Sequence, residues 1–234
     1  AMKETFSYGP MLNAYPDSLG GTLSDAVEFL NEDSVKGAFS SFYILPSLFN
    51  TDLDRGFSVK DYGVNGEIAK EEDLTALQAM DIDLKLDFIL NHLSVQSHQF
   101  QDLLEKGEQS AYKDFFIDWN KFWEGCGELN EEGVLVPRDE YLKDMFFRKP
   151  GLPMLVVEFA DGTKRPYWNT FYQQVDVDEN GKKHYLGQMD LNIKSPLVLD
   201  FYKQTLKTLA GYGAKIVRLD AFAYGVKKKG ESCF

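Results

Sequence analysis

An α/β fold on a parallel sheet, interrupted by a sizeable insertion, is the class this sequence predicts, and three observations predict it. Short apolar runs alternate with stretches of helical period, as successive βα units do. Polar residues of chemical interest gather where those runs end. After the third run the rhythm lapses for roughly 100 residues, far beyond an ordinary βα loop of about 2 to 6.

The first run, MLNAYPDSLG from Met11, reads as a strand with its turn. TLSDAVEFLNED then places Leu23, Val27 and Leu30 on one helical face, with Thr22 or Ser24 as N-cap. FSSFYILPSLF, residues 39 to 49, is β-branched and aromatic enough for a second buried strand, closed by Pro46. A polar, Gly-containing loop follows, and then a helix around EEDLTALQAM. DIDLKLDFILNH alternates Ile82, Leu84, Leu86 and Phe88 before turning continuously apolar, and is the third strand.

The insertion carries its own signals: a helix near FQDLLEKG, the aromatic segment YKDFFIDWNKFW, and two hairpins. VVEFADGTKRPYW turns at Asp161-Gly162 and QVDVDENGKKHYL at Asn180-Gly181, pairs favoured in type I′ turns. Residues 93–190 are therefore read as a small α+β subdomain, between 1–92 with the first three βα units and 191–234 with the rest. In that last segment SPLVLDFYKQTLKTLAGYG has Ser195 as N-cap, Pro196 at N1, an apolar face including Leu197, Phe201 and Leu209, and Gly211 or Gly213 as terminator. AKIVRLDAF is the fourth strand.

The chain has 234 residues, 44% hydrophobic and 26% charged, enough to bury a sizeable core. Its net charge of −12 disfavours nucleic acid as a partner, since the basic bits such as Lys227 to Lys229 are short. An acidic surface suits a neutral substrate such as a sugar but does not identify one. Cys126 and Cys233 lie far apart without C-x-x-C pairing and read as buried or incidental thiols, so no metal or cofactor is expected. With neither a membrane-length apolar run nor a signal-peptide pattern, the expected location is the cytoplasm, without membrane contact. The Ala before Met2 has the look of a tag scar, which puts the natural start at Met2.

Asp17, Asp54, Asn91 with His92, and Arg218 with Asp220 follow or end the four strands in turn. In parallel α/β folds the loops at that end face a common crevice, where active sites form. Asp220 by itself could simply cap a helix or pair with Arg218. Yet residues 218 and 220 of a strand point to the same side, and an adjacent arginine keeps a carboxylate ionised, as a carboxylate nucleophile must be. His92, one of 3 histidines, could be a core residue, but its place beside Asn91 favours it over His98 and His184. Asp87 reads as structural, holding neighbouring loops, and Phe57 and Tyr62 as either core or a stacking platform for a sugar.

These residues carry a resemblance. DFILNH (87–92), QMDLN (188–192) and VRLDAFAY (217–224) resemble, in order, hallmark motifs of the α-amylase family of retaining α-glucosidases and transglycosylases. DRGFSVKDY, FADGTKRPYWNTF and RLDAFAYGVKKKGESCF look like its sucrose phosphorylase branch, and so does Tyr224, where many α-amylases have histidine. The resemblance implies a (β/α)₈ TIM barrel, here about its first half with the subdomain inserted after the third strand. It implies Asp220 as the nucleophile forming a glucosyl ester, with Arg218 holding it and the sugar's 2-hydroxyl. His92 and Asp54 would bind glucosyl hydroxyls, with Asn91 and Tyr224 in the same binding set and Phe57 stacking nearby. Phe171 and Gln174 would reach the acceptor side, although the Q-Q-V-D-V spacing differs slightly from the branch.

The partners implied are an α-glucoside such as sucrose and inorganic phosphate, giving glucose 1-phosphate without a cofactor. The donor could equally be a phosphorylated sucrose, glucosylglycerate or another glucoside. The family's acid/base glutamate is expected after Phe234, so the chain by itself is expected to be inactive, and unpaired strand edges favour a homodimer. Two alternatives stand beside this: a retaining α-glucosidase with water as acceptor, and a non-catalytic carbohydrate-binding fragment.

Overall fold

The structure is a computed structural model that describes residues 9–52, 56–145, 147–221 and 227–231. Asp54, Tyr224 and Cys233 lie outside the described residues. The chain divides into two compact units, Ala1–Phe88 with Lys203–Asp220, and Ile89–Tyr202 with Ala221–Phe234.

In the first unit β1 (Met11–Ala14) leads into α1 (Leu23–Asn31). Thr22 begins that helix with a capping box: its hydroxyl accepts from Asp25 N at 3.3 Å, and the Asp25 carboxylate accepts from Thr22 N at 3.0 Å. The buried face is Leu23, Ala26 and Leu30, so Ala26 takes the place expected for Val27. β2 (Ser41–Ile44) follows, buried at every position as a central parallel strand should be.

Where the sequence suggests a polar loop, the chain forms an antiparallel arm of β3 (Phe49–Thr51) and β4 (Val59–Val64). Aromatic packing explains it: the Phe49 and Tyr62 rings lie 5.0 Å apart, and Tyr62 meets Phe88 at 5.4 Å. Tyr62 is thus a core ring, not a stacking platform. α2 (Glu71–Ala79) concentrates Glu71, Glu72 and Asp73 in its first turn, where the helix dipole favours anions. β5 (Asp83–Ile89) pairs in parallel with β2, as β2 does with β1.

In the second unit β6 (His92–Ser94) and α3 (His98–Lys106) precede α4 (Trp119–Phe122), β7 (Gly127–Leu129), β8 (Leu135–Pro137) and α5 (Asp139–Leu142). β9 (Met154–Glu158) and β10 (Lys164–Trp168) form one predicted hairpin, β11 (Gln173–Val177) and β12 (Lys183–Asp190) the other, and β12 also pairs with β6. The turns differ from the type I′ expected. Gly162 and Gly181 have φ of 85° and 78°, while Asp161 and Asn180 are not left-handed. Gly162 N donates to Phe159 O and Gly181 N to Asp178 O, so each loop is one i to i+3 turn closed by a left-handed glycine. Trp119, Trp123 and Trp168 form the core of this unit with Ile117, Val134 and Leu135.

α6 (Pro196–Gly211) belongs to the second unit through Tyr202 and to the first from Lys203, and Gly213 after it has φ of 92°. Val198, Thr205 and Leu209 are its buried residues; Leu197, expected inside, is 44% exposed. Leu197, Val198 and Leu199 are consecutive and all apolar, so periodicity alone does not choose among them. β13 (Ala214–Asp220) completes a sheet of order β1-β2-β5-β13, the first four strands of a partial (β/α)₈ barrel.

Candidate active site

In the first unit, polar side chains from three adjacent strands, β2, β5 and β13, converge. Arg218 and Asp220 stand two residues apart on β13, and Arg218 Nη2 lies 2.9 Å from Asp220 Oδ1. The other arm, Nη1, donates to Asp87 Oδ1 at 3.2 Å and to Tyr43 Oη at 3.4 Å. Tyr43 Oη in turn donates to Asp87 Oδ2 at 2.6 Å. One guanidinium therefore bridges a fully buried carboxylate and a partly exposed one, a use for which arginine's fixed fork is suited.

Burial raises the Asp87 carboxyl above its ordinary value, against the opposing pull of the Tyr43 hydrogen bond and the Arg218 charge. The Tyr43 phenol is also raised, first by burial and then by its bond to Asp87, so it stays a donor. Burial works against the Arg218 cation, yet Asp87 and then Asp220 hold its pKa above the ordinary arginine value. The cluster fixes a cation beside Asp220. Directly after it Ala221 has φ of 56°, left-handed backbone in a residue that is not glycine. Such outliers cost about 1 to 3 kcal/mol each and cluster at functional sites.

Asp87, read from the sequence as a holder of loops, instead ties β2 to β13. Tyr43 was not anticipated at all. An aspartate between Leu86 and Phe88, both fully buried, was the available signal, because a buried charge needs partners; an aromatic such as Tyr43 in a buried strand gives none.

The second unit gathers other expected residues. Asp190 is fully buried and accepts from Thr170 N at 2.8 Å, Thr170 Oγ1 at 2.5 Å and Asn91 Nδ2 at 3.1 Å. Lys227 Nζ lies 2.8 Å from the same carboxylate and donates to Asn91 Oδ1 at 3.1 Å. Asn91 is thus part of a buried network, and Lys227, read from the sequence only as part of a short basic stretch, is its cation. His92 does not end a barrel strand; it opens β6, opposite Asp190. Its ring lies 5.0 Å from that of Phe171, which Arg148 overlies at 5.1 Å.

Lys149 Nζ donates to Asn169 Oδ1 and, at 2.9 Å, to Phe171 O. Burial pushes its pKa down to about 8, although the Asp190 charge pulls the other way. Gln174 sits apart from these on the exposed hairpin, bonded to Tyr172 and Asp176. Phe57 is half-buried in the connection between β3 and β4. Among the described residues no group of three or more His, Cys, Asp or Glu could hold a metal, and no helix is long and apolar enough to cross a membrane.

No known family profile matches the chain. It is 57% identical over 233 residues to the sucrose 6(F)-phosphate phosphorylase of Ilumatobacter coccineus, an alignment covering 100% of this chain and 44% of that protein. Over 219 residues it is 35% identical to the sucrose phosphorylase of Streptococcus mutans, covering 93% of this chain and 40% of the relative. The crystal structure of sucrose 6F-phosphate phosphorylase from Thermoanaerobacter thermosaccharolyticum matches with a TM-score of 0.79 at 34% identity, covering 97% of this chain and 42% of that one. The chain spans less than half the length of these relatives.

Proposed function

We propose, from the premise that this chain is homologous to the N-terminal portion of the sucrose phosphorylases of the α-amylase family, that it supplies the nucleophile of a retaining α-glucosyl transfer. The observation that carries the reading is the Asp220 carboxylate held by Arg218, which is itself held by Asp87 and Tyr43.

In this reading an Asp220 oxygen attacks the anomeric carbon of an α-glucoside as the glycosidic C–O bond breaks. The leaving oxygen takes a proton from a second carboxyl group, and a glucosyl ester remains on Asp220. Phosphate, giving a proton back to the second carboxyl group, then attacks the same carbon from the opposite face, releasing glucose 1-phosphate with retention and restoring the Asp220 carboxylate. Arg218 balances the carboxylate's charge at both ends of the cycle and keeps it aimed. The resemblance assigns the sugar to His92, Phe171, Asp54, Phe57 and Tyr224 and the acceptor side to Gln174, while Asn91, fully buried with its amide on Asp190 and Lys227, acts by positioning its neighbours.

Retaining transfer needs its two carboxyl groups about 5 to 5.5 Å apart. The acid/base role is assigned to no residue of this chain, so the chain by itself is expected to show no turnover. The test is a polypeptide of the relatives' length carrying this sequence, given sucrose or sucrose 6F-phosphate with and without phosphate. Phosphate-dependent glucose 1-phosphate is expected, and Asp220→Asn should lower its formation by a factor on the order of 10⁴ or more. Glucose release independent of phosphate would mean a hydrolase, and full turnover by Asp220→Asn would remove the nucleophile assignment.

A further inference from the structure

The second unit holds a cavity of about 640 Å³ that shares no lining residue with the cluster of Tyr43, Asp87, Arg218 and Asp220. Small-molecule sites typically span roughly 300 to 1,000 Å³ and combine an apolar lining with a few polar groups. The apolar wall here is Phe116, Ile117, Phe122 and Ile193. Phe116 and Ile117 are buried, and the Phe116 ring packs against Phe100 at 4.8 Å, so this wall is fixed by the core behind it.

Five lysines and two aspartates complete the charged lining, a local excess of positive charge in a chain whose net charge is −12. Asp118 is engaged in a partly buried pair, and Asp114 has a partner in solvent. Asp114 Oδ1 lies 3.0 Å from Lys121 Nζ, and Asp118 Oδ2 lies 2.6 Å from Arg165 Nη2. Lys227 is committed to Asp190 at 2.8 Å. Lys228 faces Glu231 across 3.5 Å with both side chains largely in solvent, a pair of little energetic weight. Lys194 and Lys229 remain on the rim and make no ion pair among the described residues.

An apolar wall under a rim where lysines outnumber aspartates five to two complements an anion carried on an apolar body. We infer that this cavity binds a phosphate monoester with an aromatic or apolar-faced body. The body packs on Phe116, Phe122 and Ile193, and the phosphate meets Lys194 and Lys229 in charge-assisted contacts. The inference is independent of the glucosyl chemistry above, because neither the residues nor the ligand's role are shared.

Isothermal titration of the whole chain tests it, with phenyl phosphate, phenol and inorganic phosphate as probes. Phenyl phosphate should bind more tightly than either part alone, and raising the salt should weaken it as exposed charges are screened. The double variant Lys194→Gln/Lys229→Gln should weaken it by at least about tenfold, since one charge-assisted hydrogen bond is already worth that much and two are lost. Lys207→Gln, an exposed lysine on α6 outside the cavity, should leave it unchanged. Equal binding of phenyl phosphate and inorganic phosphate would overturn the proposal, as would equal binding of phenyl phosphate and phenol. So would an affinity unmoved by the double variant, which would put the phosphate at another site, or no binding at millimolar concentration.

Discussion

Removing the Lys227 ammonium would leave the Asp190 carboxylate fully buried without its counter-charge. Breaking one side of a buried ion pair typically costs about 3 to 5 kcal/mol, because the remaining charge keeps its desolvation penalty. Lys227→Met should therefore lower the urea midpoint strongly, and adding Asp190→Asn should recover a good part of the loss. A Lys227→Met protein of unchanged midpoint would show that the pair is not formed.

Lys149 supplies a pH dependence of definite sign. Its folded pKa of about 8 lies below the ordinary 10.5, so between those values the unfolded chain binds more protons and stability rises with pH. Lys149→Met should flatten that rise between pH 8 and 10 when unfolding midpoints of the two proteins are compared. Lys227 and Lys149 were both hidden in the sequence, where lysine reads as solvated. Arg218 and Asp220 were legible because a cation and an anion two apart on an apolar strand must share one side.

At the scale of elements, the hairpins show how a signal can be right about pairing and wrong about geometry. Asp-Gly and Asn-Gly marked both turns, yet each loop is long enough to place one residue, the glycine, in the left-handed region. Ala at Gly181 would pay about 1 to 2 kcal/mol for that conformation. Gly181→Ala should therefore lower the thermal midpoint, while Asn180→Ala, at a position that is not left-handed, should cost less. If the two substitutions cost the same, the left-handed assignment fails. The helices were legible through caps and period, as Thr22 and Ser97 show at α1 and α3. The arm of β3 and β4 was not, because what forms it is the packing of Phe49 on Tyr62, a contact across 13 residues of chain that no local pattern marks.

For the molecule as a whole, the parallel sheet follows chain order from β1 through β2 and β5 to β13. Among the described residues β13 has a sheet neighbour on one side, and Leu219 on it is 47% exposed. An apolar edge of this kind invites pairing with another chain. The chain by itself should associate as its concentration rises in sedimentation velocity, and Leu219→Lys should reduce that; a monomer at all concentrations would contradict it. The barrel-type order was legible because each strand carries its own apolar run and each crossover its own helix. The exposure of β13 was not, since an apolar run reads as a buried strand whether or not both its sides are paired.

The central claim is that Asp220, held by Arg218, is the carboxylate that takes the glucosyl group. The direct measurement is peptide mass mapping of a polypeptide of the relatives' length carrying this sequence, after reaction with a fluorinated α-glucosyl fluoride that forms the ester quickly and releases it slowly. A glucosyl-type mass on the peptide containing Asp220, lost in Asp220→Asn, is the predicted result; a label on a different carboxylate, with Asp220 unmodified, would contradict it.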